Sequence, residues 1–472
     1  MKRSSNPPST LLLVVSTTLL AACTGAGASE ISPAVAALPA RSPGAAPQPV
    51  ATAAAVRLIA SGPISRGGTA DSQYVEPWLA VNAADPANLI AAAMNVGSGP
   101  MRSAVWASHD EGRTWTRARR SGGAEDFSDG DPMATFGPDG TAYFSTLADG
   151  FTVWKSSDGG RHWQDPTRVP GGSYDRQWLA VDGTDGPFRG RIYSAGKIWV
   201  KVVGSITRDI MALAHSTDDG ATFAWPELVL PRPDQEVLHS VTDLLVAPDG
   251  ALIVPFLSHF WSGPRAGRGA GLLSGRFAVL RSEDGGRSFS DPYEVATVAG
   301  FGHARPDLSN KGLGGGRVVA DRSSGPHAGN LYLVWPQAVG EALQIYVAAS
   351  RDGGRSWNEP VRVNDGGMTS ANSNPAIAVN RNGAVMVTWN DRRDDPTGRC
   401  FRLYAAASHD GGASFGPNLP VGTAPTCPGG RWANGGDTQG LVALDGGDFV
   451  AAWISSVEDR LELWWARLGV SR

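Results

Sequence analysis

The chain carries only three cysteines in 472 residues, which excludes a small disulfide-dense scaffold. Charge of neither sign dominates. The formal net charge is −4 and both signs are scattered, so nothing asks for nucleic acid or a polybasic membrane contact. Long hydrophobic runs are missing too. The apolar stretch from Leu11 to Ala22 is shorter than the roughly 20 residues a membrane-spanning helix needs. Long helical periodicities are scarce. The eight histidines show no zinc-type spacing, so no metal is expected. No phosphate-cradling glycine loop stands between a strand and a helix, and no cofactor is expected. GLGGGR, Gly312 to Arg317, lies among strands and reads as a flexible excursion.

Glycine (60), proline (33) and tryptophan (16) are plentiful, a composition that suits short strands joined by many turns. One octapeptide, Ser-x-Asp-x-Gly-x-x-Trp/Phe, recurs six times around Asp110, Asp158, Asp218, Asp284, Asp352 and Asp410. Apolar runs flank each copy, as LQIYVAAS and NEPVRV flank Asp352. That is strand, turn, strand. The glycine permits positive φ. The Asp and Ser side chains can bond the turn's own amides, and the aromatic residue packs beneath the hairpin.

A second hairpin pattern alternates with the first, opening near Glu76, Gly130, Asp175, Val241, Gly316, Ser373 and Gly436. Seven such hairpins, six octapeptide hairpins and a last strand, LELWWARL, give four strands per unit. This is the layout of β-propeller blades. The expected fold class is all-β: one propeller over residues 56–472, with seven blades, six being the alternative. The last unit lacks an outer strand. VRLIAS (Val56 to Ser61) is expected to supply it, closing the ring and removing its exposed edges.

The N-terminus reads as an export signal. Lys2 and Arg3 precede the apolar stretch, and LLAAC resembles the bacterial lipoprotein processing box. On that resemblance residues 1–22 are a leader and Cys23 is the lipidated first residue. Residues 23–55, rich in Ala, Pro, Gly and Ser, form a flexible tether. The chain is then exported and held by lipid alone on the periplasmic or extracellular side of a membrane. In an exported protein the remaining pair, Cys400 and Cys427, suggests a disulfide, with two free buried thiols as the alternative.

The octapeptide resembles the Asp-box, the bacterial neuraminidase repeat, from Val56 to the C-terminus. The resemblance implies a propeller of the sialidase-like superfamily, with the repeats on its periphery and a catalytic face elsewhere. In that family three arginines grip a substrate carboxylate, a Tyr assisted by a Glu is the nucleophile, and an Asp is the acid/base. The first arginine sits in an Arg-Ile-Pro motif. Here the stretch is YVEPWLAV; with Pro77 aligned, Val75 stands in the arginine's place.

In a propeller the entrances of the inner strands ring a central funnel, so the residues opening the seven inner hairpins are the site candidates. Glu76, Asp131, Tyr174 and Asp175 are the catalytic candidates. Arg176, Arg305, Trp178 and Arg392 are the substrate-binding ones. Tyr74, His239, Asp243, Asp307, Asn374 and Asp437 occupy comparable places. Each set also has a plain structural reading. Asp131 and Asp307 suit turn caps, and Tyr174 and Trp178 suit rim packing. Arg392 and Arg393, among Asp391, Asp394 and Asp395, suit a solvated ion-pair loop whose spacing matches no calcium loop. The expected function is binding or processing of a carbohydrate or surface glycan, as a sialidase-like glycoside hydrolase if it is an enzyme. The alternatives are a non-catalytic polysaccharide- or protein-binding propeller, or an assembly scaffold partnered with an envelope protein.

Overall fold

The computed structural model describes residues 54–65, 71–147, 150–171, 174–201, 207–224, 227–230, 238–262, 271–299, 316–340, 342–367, 371–422, 424–429, 432–458 and 460–471. Cys23, the leader, most of the tether, and Arg305 and Asp307 lie outside the described residues. The chain divides into two compact units, 1–52 with 200–208, and 53–199 with 209–472. Of the first, only strand residues 200–201 and 207–208 are described.

The second unit is built from seven antiparallel sheets of four or five strands, the blades of a propeller. Blade 1 is ordered Tyr74–Val81, Leu89–Asn95, Arg102–Ser108, Thr116–Arg117, with Asp126–Ser128 also on the third strand. Blades 2 to 6 open with Met133–Phe136, Tyr174–Val181, Leu238–Val241, Arg317–Ala320 and Ser373–Val379. Blade 7 is ordered Gly440–Ala443, Phe449–Val457, Arg460–Val470 and Val56–Pro63, so it takes strands from both ends of the chain. Val56 lies opposite Val470 and Pro63 opposite Trp464.

Each blade is covered on both faces by its neighbours, so its middle strands are continuously apolar rather than alternating. Leu89–Asn95, LIAAAMN, is buried at every position but the last. Its alanines let the blades approach, and rings fill the wider space between them. Phe127 of blade 1 meets Phe144 and Trp154 of blade 2 edge-on, with centroids 5.0 and 5.1 Å apart, the favoured geometry for aromatic quadrupoles.

The six octapeptides share one turn. In the copy at Ser350, its Oγ donates to Asp352 Oδ1 (2.8 Å) and accepts from the Gly354 N–H (2.8 Å). Asp352 Oδ1 also accepts the amides of Arg355 and Ser356, while Oδ2 accepts Ser356 Oγ at 2.5 Å. Gly353 and Gly354 have φ of +71° and +91°, where a side chain would be strained. The carbonyl of the residue before the motif's glycine is also a staple between blades. Asn88 Nδ2 donates to Gly159 O (2.9 Å), Arg191 to Gly285 O (2.7 Å) and Arg281 to Gly353 O (3.0 Å).

Strand register separates these turns from the inner-strand entrances. In blade 1, Val81, Leu89 and Ser108 stand at one end, while Tyr74, Asn95 and Arg102 stand at the other. Cys400 and Cys427 are joined in a disulfide, which ties the loop before the third strand of blade 6 to the segment leading into blade 7.

Candidate active site

The inner-strand entrances are irregular. Pairing skips two residues between Val75 and Trp78 in blade 1, between Asp175 and Trp178 in blade 3, and between Ser373 and Ala376 in blade 6. The skipped pairs are Glu76-Pro77, Arg176-Gln177 and Asn374-Pro375. Glu76, Arg176 and Asn374 have φ of +55°, +56° and +50°, and Asp131, before Pro132 at the entrance of blade 2, has +54°. Left-handed backbone is costly for residues with a side chain. A bulge spends that strain on turning a side chain out of the strand's alternation.

The turned side chains meet. Glu76 is 4% exposed, and its carboxyl is hydrogen-bonded to that of Asp131. Arg176 is ion-paired with Asp437, which bridges blade 3 to the entrance of blade 7 while Glu76 and Asp131 come from blades 1 and 2. Burial, and then the Asp131 charge, push the Glu76 carboxyl well above its ordinary range. Arg176 opposes the shift and Asp437 adds to it. Burial and the neighbouring carboxylate thus favour the protonated form of Glu76. Its Oε2 is buried with no hydrogen-bond partner.

Backbone fit holds Glu76 in place. Its N–H donates to Gly435 O at 2.8 Å. Asn374 Nδ2 donates to Gly436 O (2.7 Å) and Asn434 O (3.1 Å). Arg392 lies behind this segment and is 3% exposed. It donates to Ala371 O, Ser373 Oγ and Ala433 O, each at 3.2 Å, and to Asn434 Oδ1 at 2.5 Å. It is not in a solvated loop: its guanidinium holds the segment at Ala433 and Asn434 that leads to Gly436 and Asp437. Arg393 is the residue that pairs with acids, with Asp391 at 2.7 Å and Asp365 at 2.6 Å.

Trp178 is 1% exposed and donates its indole N–H to Val241 O at 2.9 Å. Trp78 does the same to Ala134 O at 2.8 Å. The Arg317 guanidinium lies over both rings, 4.1 Å from the Trp78 centroid and 5.1 Å from that of Trp178. Its Nε is 2.9 Å from Asp243 Oδ2. Blades 1, 3, 4 and 5 are therefore pinned through one guanidinium, by two cation-π contacts and one ion pair. Sequence reasoning passed over Arg317 because the glycines before it read as an excursion. The signal was its place at the start of the fifth inner hairpin.

Tyr174 and Asp175 lie in strand, opposite Ile198 and Lys197; their side chains are outside the described residues, as is that of His239. Val75 is fully buried, and it is the next residue, Glu76, that the bulge turns inward. Among the described residues no group of three or more His, Cys, Asp or Glu is placed to hold a metal ion.

No family model and no curated protein matches the chain. Solved structures do resemble it. One is a protein of unknown function from Dyadobacter fermentans, at 14% identity over 88% of this chain and 99% of that one, with a TM-score of 0.49. Another is an ulvan lyase of polysaccharide lyase family 25, at 14% identity over 88% and 98%, with a TM-score of 0.49. A third is the Trypanosoma rangeli sialidase, at 12% identity over 84% of this chain and 54% of that one, with a TM-score of 0.41. The blade count rests on this chain's own sheet topology. What fold and site define together is a seven-bladed propeller with a carboxyl pair among its inner-strand entrances.

Proposed function

We propose that this protein processes a glycan at the inner-strand entrances by acid–base chemistry, with the Glu76–Asp131 pair holding the proton that is moved. The observation that carries this reading is the buried Glu76 carboxyl, hydrogen-bonded to Asp131 and aimed by strained backbone. A carboxyl kept protonated beside a second carboxyl is unfavourable as a structural device and useful as a proton store. Direct contact sets the pair apart from glycosidase carboxyls, which flank the scissile bond about 5–9.5 Å apart. The pair therefore acts as one acid/base unit, and the nucleophile must come from elsewhere. Tyr174 and Asp175, at the neighbouring entrance, are the candidates.

The sialidase-like repeat supports a carbohydrate ligand. A conventional sialidase is disfavoured because Val75 replaces the first arginine of the clamp and the Arg176 charge is already met by Asp437. The reading includes export and lipid anchoring through Cys23, which mass spectrometry of the mature N-terminus would test.

The test is turnover of a fluorogenic sialoside and of a panel of other glycosides and polysaccharides. The expected result is turnover of a non-sialic substrate, reduced at least ~100-fold in Glu76→Gln and in Asp131→Asn. One observation favours a second reading. The Arg176–Asp437 ion pair ties up the only charges of that bridge, as a binding propeller with no chemistry would tolerate. Absence of turnover with retained polysaccharide binding would establish that alternative.

A further inference from the structure

The carboxyl pair has a neighbourhood that its acid–base role does not use. Glu76, Asp131, Pro132, Met133, Arg176, Gln177 and Thr438 line one small pocket. Three of them bring a buried polar atom with no hydrogen-bond partner: Glu76 Oε2, Gln177 Oε1 and Thr438 Oγ1. These residues are 4%, 1% and 9% exposed and come from blades 1, 3 and 7. A buried polar atom without a partner is costly, because it gives up its bonds to water and gains none in return. Three orphans around one pocket point to a shared partner.

We propose that this pocket binds one ordered water molecule, a third member of the Glu76–Asp131 unit. The hydrogen-bond inventory closes. The Glu76 proton lies in its bond with Asp131, which leaves Oε2 as an acceptor. Gln177 spends its amide nitrogen on Asp131 O, which leaves Oε1 as an acceptor. Thr438 has a hydroxyl proton to give. A water donates to Oε2 and Oε1 and accepts from Oγ1, which satisfies all three atoms and both of its own protons. The cavity offers about 10 Å³ to the centre of a water molecule, room for about one, and is far too small for a sugar. An ammonium or an alkali cation would leave the Thr438 proton without an acceptor. The water ties the protonated carboxyl to blades 3 and 7, and so fixes its orientation toward Asp131.

This inference rests on the carboxyl pair of the proposed function but not on turnover, so the two fail separately. The first measurement is a high-resolution crystal structure of the protein. The expected result is one peak at about 2.7–3.2 Å from Glu76 Oε2, Gln177 Oε1 and Thr438 Oγ1. No peak, a peak touching fewer than three of these atoms, or an ion with cation-type distances would overturn the proposal. The second is infrared spectroscopy of the protonated carboxyl, assigned by its loss in Glu76→Gln. Thr438→Val keeps the side-chain shape and removes the hydroxyl. It should displace the water and raise the Glu76 C=O stretch, because the carbonyl loses a hydrogen bond. Thr438→Ser keeps the hydroxyl and should leave both the peak and the band in place. A band unmoved in a folded Thr438→Val protein would overturn the proposal. Should that variant not fold, the wild-type peak decides.

Discussion

A Cβ on Gly436 would lie 2.2 Å from Cγ of Glu76 and 2.5 Å from its backbone nitrogen. Gly436 also has φ of +97°. The carboxyl of blade 1 is thus seated against bare backbone leading into blade 7, and no other residue type fits there.

Gly436→Ala therefore faces both overpacking and backbone strain. The expected cost is about 2–4 kcal/mol of stability, read by denaturant unfolding. Any activity should fall together with that of Glu76→Gln. Gly122→Ala is the control for backbone strain, because Gly122 has φ of +80° with open space around it; it should cost only about 1 kcal/mol.

Glu76→Gln carries a pH signature. The native Glu76 pKa is raised above its ordinary value of 4.5, so the folded state holds a proton that the unfolded state releases. Below pH 4.5 both states are protonated and burial carries no linkage cost. As pH rises above 4.5 the unfolded state is favoured, until the native pKa is passed. Glutamine has no proton to lose. The variant should match or exceed wild-type stability at neutral pH, and that advantage should shrink toward pH 4. A constant offset between the two melting curves from pH 4 to 8 would refute the raised value.

The octapeptide carboxylates have the opposite sign. Hydrogen bonds led by that from Thr222 hold Asp218 at about 2. Burial works against the Asp284 charge, yet the bonds from Ser288 and Ser282 hold it at about 2 as well. Their stabilisation is present above the ordinary 3.8 and is lost as pH falls through 2. Asp352→Ala should cost roughly 1–2 kcal/mol by freeing the turn amides and leave glycan binding unchanged. A loss of binding without unfolding would move the working site to the repeats.

Arg317→Ala removes the cation from two indoles and leaves Asp243, 6% exposed, with no counter-charge, only the Val318 amide at 3.0 Å and the Leu244 amide at 2.9 Å. Breaking a buried pair on one side costs about 3 kcal/mol. Tryptophan fluorescence should change at the same time, since Trp78 and Trp178 lose the guanidinium. Arg317→Lys keeps the charge but not the planar stack and should recover part of the stability.

Much of the architecture was legible because it is local. The octapeptide binds its own amides, so its six copies announced six turns. Alternating apolar runs on either side announced the strands. Glu76, Asp131 and Arg176 were legible as candidates because each opens an inner hairpin. Their bulges were not, since a skipped pair exists only against the neighbouring strand. The burial of Arg392 was not legible for a similar reason. Among four charged neighbours it looked solvated, but it donates to carbonyls, a hydroxyl and an amide oxygen of segments 371–373 and 433–434, contacts that no local pattern encodes.

By itself the sequence determined the turns, the strands and their four-fold grouping, because hydrogen bonds and apolar alternation within a few residues suffice for these. The tertiary structure decided the chemistry. Arg176 and Asp437 are 261 positions apart, and only the return of the last blade beside the first brings them within reach of one another. The same return places Gly436 against Glu76 and buries that carboxyl beside Asp131. Proton affinity depends on such surroundings, and those surroundings exist only once the blades have packed.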